Sequence, residues 1–175
     1  MDSFFSYGVF AFDVNDNVFL IECGETEALM LNDEERAKAD KERQTAGKPP
    51  IKTVEDILDK DYLAEDGIGI KPIICCIDQG GHRADEVKYF AKLHKNVIMQ
   101  KGTSMTTANW RMSENQQKLV LVNEKYFRSL LVYQLYSQKD KHQNFFFISP
   151  DISEDFIKQL IGTKPDSASK WRTSP

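Results

Sequence analysis

Residues 73 to 87 read Ile73-Ile74-Cys75-Cys76-Ile77-Asp78-Gln79-Gly80-Gly81-His82-Arg83-Ala84-Asp85-Glu86-Val87, and this stretch decides the fold. The run from Ile73 to Ile77 is apolar and rich in β-branched residues, as a buried strand is. It ends on an acid, Asp78. The pair Gly80-Gly81 then turns the chain, and a helix starts near Arg83. An acid at the C-terminal end of a strand, beside a glycine turn, is where α/β folds place their chemistry. The stretch therefore points to a site as well as to a fold.

Upstream, Gly8 to Val14 is a strand, Asn15-Asp16-Asn17 a turn and Val18 to Cys23 a second strand, which together make a β-hairpin. Glu27 to Leu31 is a candidate third, antiparallel strand. Asn32 or Asp33 caps a highly charged helix from Glu34 to Gln44, which has almost no apolar face and is expected to be exposed. Thr53 caps a better helix, with Val54, Ile57 and Leu58 on one face and Tyr62 as a further candidate. Gly67 to Lys71 reads as a loop. Downstream, Ala84 to Leu93 is a helix with Val87, Phe90 and Ala91 inward. Asn96 to Gln100 is a short strand that runs into Lys101-Gly102. Residues 103 to 117 are polar apart from Trp110, and a loop of this length is usually functional or mobile. Lys118 to Val122 is a strand, Glu124 to Ser137 a helix and Phe145 to Ile148 a last strand. Asp151 or Ser153 caps a final helix that Gly162 ends. A hairpin followed by alternating helices and strands predicts an α/β protein. The expected layout is a ribonuclease H-like mixed sheet opened by an antiparallel β-hairpin, with helices on both faces. Residues 1–162 are expected to form that domain and residues 163–175 a polar, flexible tail.

The 175 residues suit one domain, and 41% of them are apolar, enough for a core. No apolar run approaches the ~20 residues that cross a bilayer. Met1-Asp2-Ser3 has no basic region of the kind that opens a secretory signal. Three cysteines, with Cys75 and Cys76 adjacent, do not make a disulfide framework and read as small reduced core residues of a cytoplasmic protein. As metal ligands, Cys75 and Cys76 are poor, because adjacent strand residues point to opposite faces. The net charge of −4 hides an asymmetry. Residues 1–66 hold 7 Lys/Arg against 17 Asp/Glu, whereas residues 88–142 hold 10 against 3. The basic half is either a phosphate-facing surface or a set of solvated helix faces.

Two acids stand out. Asp13 lies in a strand of Val and Phe, where an ionised carboxylate is costly unless a metal or cation faces it. Asp78 ends a second strand. Carboxylates on neighbouring strands can converge on Mg²⁺ or Mn²⁺, which take hard oxygen ligands and keep several waters. Paired ions of this kind are a standard device for phosphodiester cleavage. The alternative is local: Asp13 starts an Asx-type turn with Asn15 and Asp16, and Asp78 caps the turn at Gly80.

Asp78-Gln-Gly-Gly-His82-Arg-Ala-Asp-Glu86-Val87-x-x-Phe90 resembles the Asp-Ser-Gly-Gly-His-x-Thr-x-Glu-Val-Tyr-x-Phe signature of the lambda-type phage terminase large subunit, in its C-terminal nuclease domain. Other segments fit in the same order. Gly8 to Phe19 resembles the family's opening hairpin, and Ile98-Met-Gln-Lys101-Gly102 its Ile-Lys-Gly strand end. Val120 to Leu135 resembles its Val-Gly-x-Asp strand and helix, and Phe147 to Leu160 its Phe-Pro-x-Asp to Gln-Leu segment. The resemblance spans residues 8 to 161. It implies a ribonuclease H-like, metal-dependent endonuclease that cuts double-stranded DNA with two Mg²⁺ or Mn²⁺ ions in the cytoplasm of an infected bacterial host. Its implied partners are the terminase ATPase domain, the small terminase subunit and the portal, with no membrane.

On this resemblance the metal ligands are Asp13 and Asp78, with Glu124 nearest to the family's third strand-end acid. Lys101 is an electrostatic helper at the phosphate, or a solvated lysine at a strand end. His82 contacts the scissile phosphate or positions water, or is a turn histidine bonded to backbone. Glu86 is an outer acid or the partner of Arg83. Trp110 and Arg111 touch DNA, or Trp110 packs. The chain departs from the family in four places, the first being that the Val-Gly-x-Asp acid has no clean equivalent, with Glu124 nearest to it after a slip of one residue. It has no phosphate loop of the Gly-x-x-x-x-Gly-Lys-Ser/Thr kind, so an excised nuclease domain or a free-standing relative is expected. Gln79 replaces a serine. The usual C-terminal Asn-Glu-x-x-Asp acid is not visible, which leaves Glu124, Asp85 or Asp166 to complete the site. Without a third acid, the chain reads instead as a catalytically incomplete module that binds DNA or a packaging-motor or portal partner. A phosphatase on a similar sheet is a further class, and it requires a closed small-molecule pocket.

Overall fold

The computed structural model of the protein describes residues 4–104, 108–136, 146–161, 164–165 and 171–172. In chain order its elements are β1 (Phe5–Phe12), β2 (Val18–Thr26), α1 (Asp33–Thr45), α2 (Val54–Asp59), β3 (Tyr62–Leu63), β4 (Gly69–Ile70), β5 (Cys75–Asp78), α3 (Ala84–Leu93), β6 (Val97–Thr103), β7 (Trp110–Met112), β8 (Leu119–Asn123), α4 (Glu124–Tyr136), β9 (Phe146–Ile148), α5 (Glu154–Ile161), β10 (Lys164–Pro165) and β11 (Trp171–Arg172). The architecture is mixed α/β, with helices packed against mixed sheets, consistent with a ribonuclease H-like fold.

The chain divides into two compact units. The first comprises Met1–Tyr7, Glu25–Gly102 and Trp110–Leu121. Most of the four-stranded sheet β5-β6-β8-β7 lies in it. Strands β5 and β6 run parallel, with Cys75 opposite Val97 and Asp78 opposite Gln100, and α3 makes the crossover between them. Strand β8 is also parallel to β6. Met99 N–H donates to Lys118 O at 2.8 Å and Thr103 Oγ1 to Val122 O at 3.2 Å, which keeps one constant offset along the two strands. Strand β7 is the antiparallel edge, since Ser113 N–H bonds Leu119 O and Asn123 N–H bonds Asn109 O, each at 2.8 Å. The core of this unit joins Ile77, Val97, Met99 and Leu119 of the sheet to Val87, Phe90 and Ala91 of α3 and to Val54 and Leu58 of α2.

Local chemistry explains the helices here. Thr53 and Asp56 form a reciprocal capping box at α2, and Asn32 and Glu35 form another at α1. Helix α1 buries no residue, as its composition predicts. Polar clamps hold it instead. Arg36 bonds both oxygens of Asp56 at 3.2 and 3.0 Å, and Arg43 reaches Glu27 at 2.7 Å and Pro49 O at 2.6 Å. The expected third strand at Glu27 to Leu31 does not form. The carbonyls of Ala28 and Leu29 accept the first N–H groups of α2, at 3.1 and 2.9 Å, and only an isolated bridge from Ala28 to Thr53 remains. The expected loop at Gly67 to Lys71 contains β4, paired with β3. The long polar loop is likewise shorter than expected, because β6 continues to Thr103 and β7 lies inside it.

The second unit comprises Gly8–Gly24, Thr103–Asn109 and Val122–Pro175. Most of the three-stranded sheet β1-β2-β9 lies in it. Only the five residues 13–17 separate β1 from β2, so the two are an antiparallel hairpin. Strand β9 lies parallel to β2, with Phe19 opposite Phe147 and their rings stacked at 4.8 Å. Leu20, Phe146 and Ile152 form the core of this unit, with Leu131 of α4 and Phe156 and Ile157 of α5 against it. Phe156 N–H donates to Ser153 Oγ at 3.3 Å, so Ser153 caps α5. Strand β10 pairs antiparallel with β11. Phe145, Gly162 and Asp166 lie outside the described residues.

Candidate active site

Asp78 is the last residue of β5 and is exposed. Successive strand residues face opposite ways. Ile77 therefore points into the core and Asp78 out of it, on the face of Cys76 and Ile74. The carboxylate closes a tight turn: Gly80 N–H donates to Asp78 Oδ1 at 3.0 Å. A Cβ on Gly80 would stand 3.2 Å from Oδ1 and 3.3 Å from Oδ2, so the chain approaches the carboxylate closely because residue 80 is glycine. Among the described residues, no side chain bonds or pairs with Asp78.

His82 follows the glycine pair and is exposed. Arg83 and Glu86 are joined by two hydrogen bonds of 2.7 Å, so Glu86 is committed to the arginine. Asp85 is exposed and pairs with Lys88 at 2.9 Å, which lowers its carboxyl pKa. Lys101 is exposed near the end of β6. The register sets Asp78 beside Gln100, so Gln100 shares the face of Asp78. Lys101 leaves the strand on the opposite side, the side of Met99. Gln100 is thus the polar side chain beside Asp78 that the motif did not single out. Burial of Val97 and Met99 marks the inward positions of β6 and hence the outward ones; the pairing with β5 is what sequence pattern does not carry.

Asp13 follows β1, and its carboxylate sits in the hairpin turn. Oδ1 accepts Asn15 N–H at 2.8 Å and Asn17 N–H at 2.9 Å, and Oδ2 accepts Asn17 Nδ2–H at 2.7 Å. The Asn17 side chain first, then the backbone of Asn17, holds the carboxyl below its ordinary pKa. This is an Asx-type arrangement, with both oxygens engaged. Glu124 opens α4, is exposed, and is paired with Arg128 one turn on. Asp78, His82 and Lys101 belong to the first unit, and Asp13 and Glu124 to the second.

As donors, Asp78 and Asp13 are ionisable oxygens of the kind Mg²⁺ or Mn²⁺ takes, so the chemistry of the donor set fits. Each is a single carboxylate. Among the described residues, no three His, Cys, Asp or Glu side chains form a group that could hold a metal ion. Ligation would therefore lean on water and phosphate oxygens, as Mg²⁺ sites commonly do. The cysteines are free. Cys75 lies half-buried against the core, but Cys76 is exposed, because it faces outward with Asp78. The expectation that the three cysteines are core residues fails for Cys76. Trp110 is 59% exposed, so it is not a buried core residue, and Arg111 beside it is exposed. No described helix is long and apolar enough to cross a membrane.

Comparison with known proteins bears on this site. One family model, described as the terminase large subunit gpA, endonuclease domain, matches residues 2–170. No curated protein matches, and no solved structure matches.

Proposed function

Because the chain belongs to the family of terminase large subunit endonuclease domains, we propose that it hydrolyses double-stranded DNA at phosphodiester bonds with two divalent metal ions, Mg²⁺ or Mn²⁺, during phage DNA packaging. The observation that carries this reading is the family match, which spans residues 2–170 and both compact units. The geometry of Asp78 supports it: an exposed carboxylate on a glycine turn, facing no competing cation among the described residues. When bound, the ions supply an activated water and neutralise charge on the leaving oxygen.

The chain's own groups then have separate tasks. Asp78 and Asp13 are proposed as metal-ligand carboxylates, each on its own geometry, with Glu124 as a third candidate once released from Arg128. His82, exposed at the end of the turn, contacts the phosphate or orients water. Lys101 is exposed on the other side of β6, so it acts by its field at the DNA backbone rather than by sharing a face with Asp78. The packaging ATPase domain, the small terminase subunit and the portal are the proposed partners, in the cytoplasm of the infected host.

Plasmid cleavage with Mn²⁺ or Mg²⁺ tests the proposal, comparing the wild type with Asp78→Ala and Asp13→Ala. Loss of cleavage in each variant, with folding retained, is the expected result. Undiminished cleavage by both variants sinks the ligand assignment. A wild type that binds DNA in a salt-sensitive way and cuts none identifies a binding module instead.

A further inference from the structure

The turn that carries Asp78 and His82 is held differently at its two ends. At the upstream end the β5 ladder continues, with Gln79 N–H donating to Gln100 O at 2.8 Å. The middle is Gly80-Gly81, the residue type with the least backbone restraint. Downstream, Arg83 is the N-cap residue of α3, yet no side chain caps the helix there. The guanidinium of Arg83 is tied on three sides instead. Nε and Nη2 donate to the two oxygens of Glu86, both at 2.7 Å. Nη1 donates to Glu27 O at 3.2 Å, and the plane lies 4.1 Å from the centre of the Phe5 ring. Only an arginine can fork onto a carboxylate and stack on a ring at once.

We propose that Arg83 and Glu86 form a latch that positions His82 and the glycine turn for DNA cleavage, and that Arg83 does not itself bind phosphate. The proposal rests on the nuclease reading above. A guanidinium whose charge is met by a bidentate carboxylate offers little to a DNA backbone. Its position does matter, since His82 is the neighbouring residue and its side chain makes no hydrogen bond or ion pair among the described residues. Arg83 and Glu86 are therefore positioning residues. Freeing them leaves two glycines and a histidine joined to an uncapped helix.

The test uses Arg83→Lys, Glu86→Gln and the double variant of the full chain. Three readouts are taken: plasmid cleavage in Mn²⁺ as kcat and KM, circular dichroism, and the His82 imidazole resonance by NMR. A latch predicts that both single variants fold and lose about 10- to 100-fold in kcat, the usual cost of a misplaced reacting group. It predicts KM for DNA within about twofold of wild type, because binding is not removed. The double variant is no worse than either single, and the His82 resonance shifts in all three. A phosphate contact predicts the reverse: Arg83→Lys keeps its activity, and Glu86→Gln binds DNA more tightly by releasing a cation. Either result overturns the latch. Failure of the nuclease reading is seen separately, as a wild type that does not cleave; the latch then stands or falls on the His82 resonance, which must move in both single variants.

Discussion

Gly80 and Gly81 are adjacent in the motif, yet the structure assigns them different work, and alanine at each position separates them. A methyl group on residue 80 meets Asp78 Oδ1 at 3.2 Å, Oδ2 at 3.3 Å and Cγ at 3.6 Å. Comfortable contact begins at about 3.5 Å, so the carboxylate must move by a few tenths of an ångström. Asp78 is exposed and can do so by a small rotation, which also disturbs its 3.0 Å bond from Gly80 N–H. Gly80→Ala should therefore cost at most ~1 kcal/mol of stability, within the range of exposed substitutions and partly offset by the stiffer unfolded chain. With Asp78 as the proposed metal ligand, cleavage should fall about tenfold or more, since such a site tolerates only ~0.5 Å of displacement. At Gly81 nothing lies within 4 Å of the added carbon, and its φ is outside the left-handed region. Gly81→Ala should leave cleavage within about twofold and raise stability by ~0.4–1 kcal/mol. Urea denaturation and plasmid cleavage in Mn²⁺ read both quantities. Equal damage by the two variants, or full activity in Gly80→Ala, would refute the claim that close approach to Asp78 is what requires the glycine.

Phe90 is 1% exposed at the centre of the first unit's core, so Phe90→Ala should cost ~3–5 kcal/mol by urea denaturation; a loss below ~1 kcal/mol would contradict its placement. Lys118 holds a backbone φ of 57° and donates from Nζ to Ala91 O and His94 O, both at 2.6 Å, at the end of α3. Lys118→Met should cost ~1–2 kcal/mol, the upper range for a cation at a helix C-terminus. The Asp13 carboxyl titrates below its ordinary 3.8, chiefly through the Asn17 side chain. The stabilisation these bonds give is present above the unfolded-state value and is lost as pH falls through the lower folded-state value. Asn17→Ala should raise the Asp13 pKa toward 3.8 in an NMR titration, and no movement would deny the turn its role. Burial, helped by neighbouring Cys76, pushes the Cys75 thiol up to about 11, so Cys75 should resist a thiol reagent at pH ~8 in the native protein. Exposed Cys76 should react ahead of it, and Cys76→Ser should remove that first phase.

The elements were legible where one local rule dominated. Helix α3 carries Val87, Phe90 and Ala91 on one face, and its span matches the expectation of Ala84 to Leu93. Asn32 and Thr53 announced α1 and α2, because capping is a matter of neighbouring residues. The segment Glu27 to Leu31 misled for a reason outside its own sequence. Its composition suits a strand, but the carbonyls of Ala28 and Leu29 meet the N-terminus of α2, from residues some 25 positions later. Cys76 misled for a related reason: an apolar run implies burial on both faces, whereas the outer face of β5 is exposed at Cys76 and Asp78, as is Ile74 just before the strand.

The motif names residues by their order along the chain, but a strand sorts them by face, and only strand pairing reveals the sorting. Asp78 was legible because the acid, the strand end and the glycines are contiguous. Lys101 was drawn to it by the family's Ile-Lys-Gly pattern, yet the ladder brings Gln100 onto the outward face beside Asp78 and turns Lys101 away. The neighbour of the strand-end acid is then a neutral amide. A lysine there would hold the Asp78 carboxylate as an ion pair and compete with any cation for it. Gln100 can donate to a phosphate oxygen or to the carboxylate without neutralising it. The pairing thus puts no cation on the Asp78 face of β6, and in the proposed nuclease Lys101 would act on DNA through its field from the other side. A strand shifted by one residue would exchange the two roles.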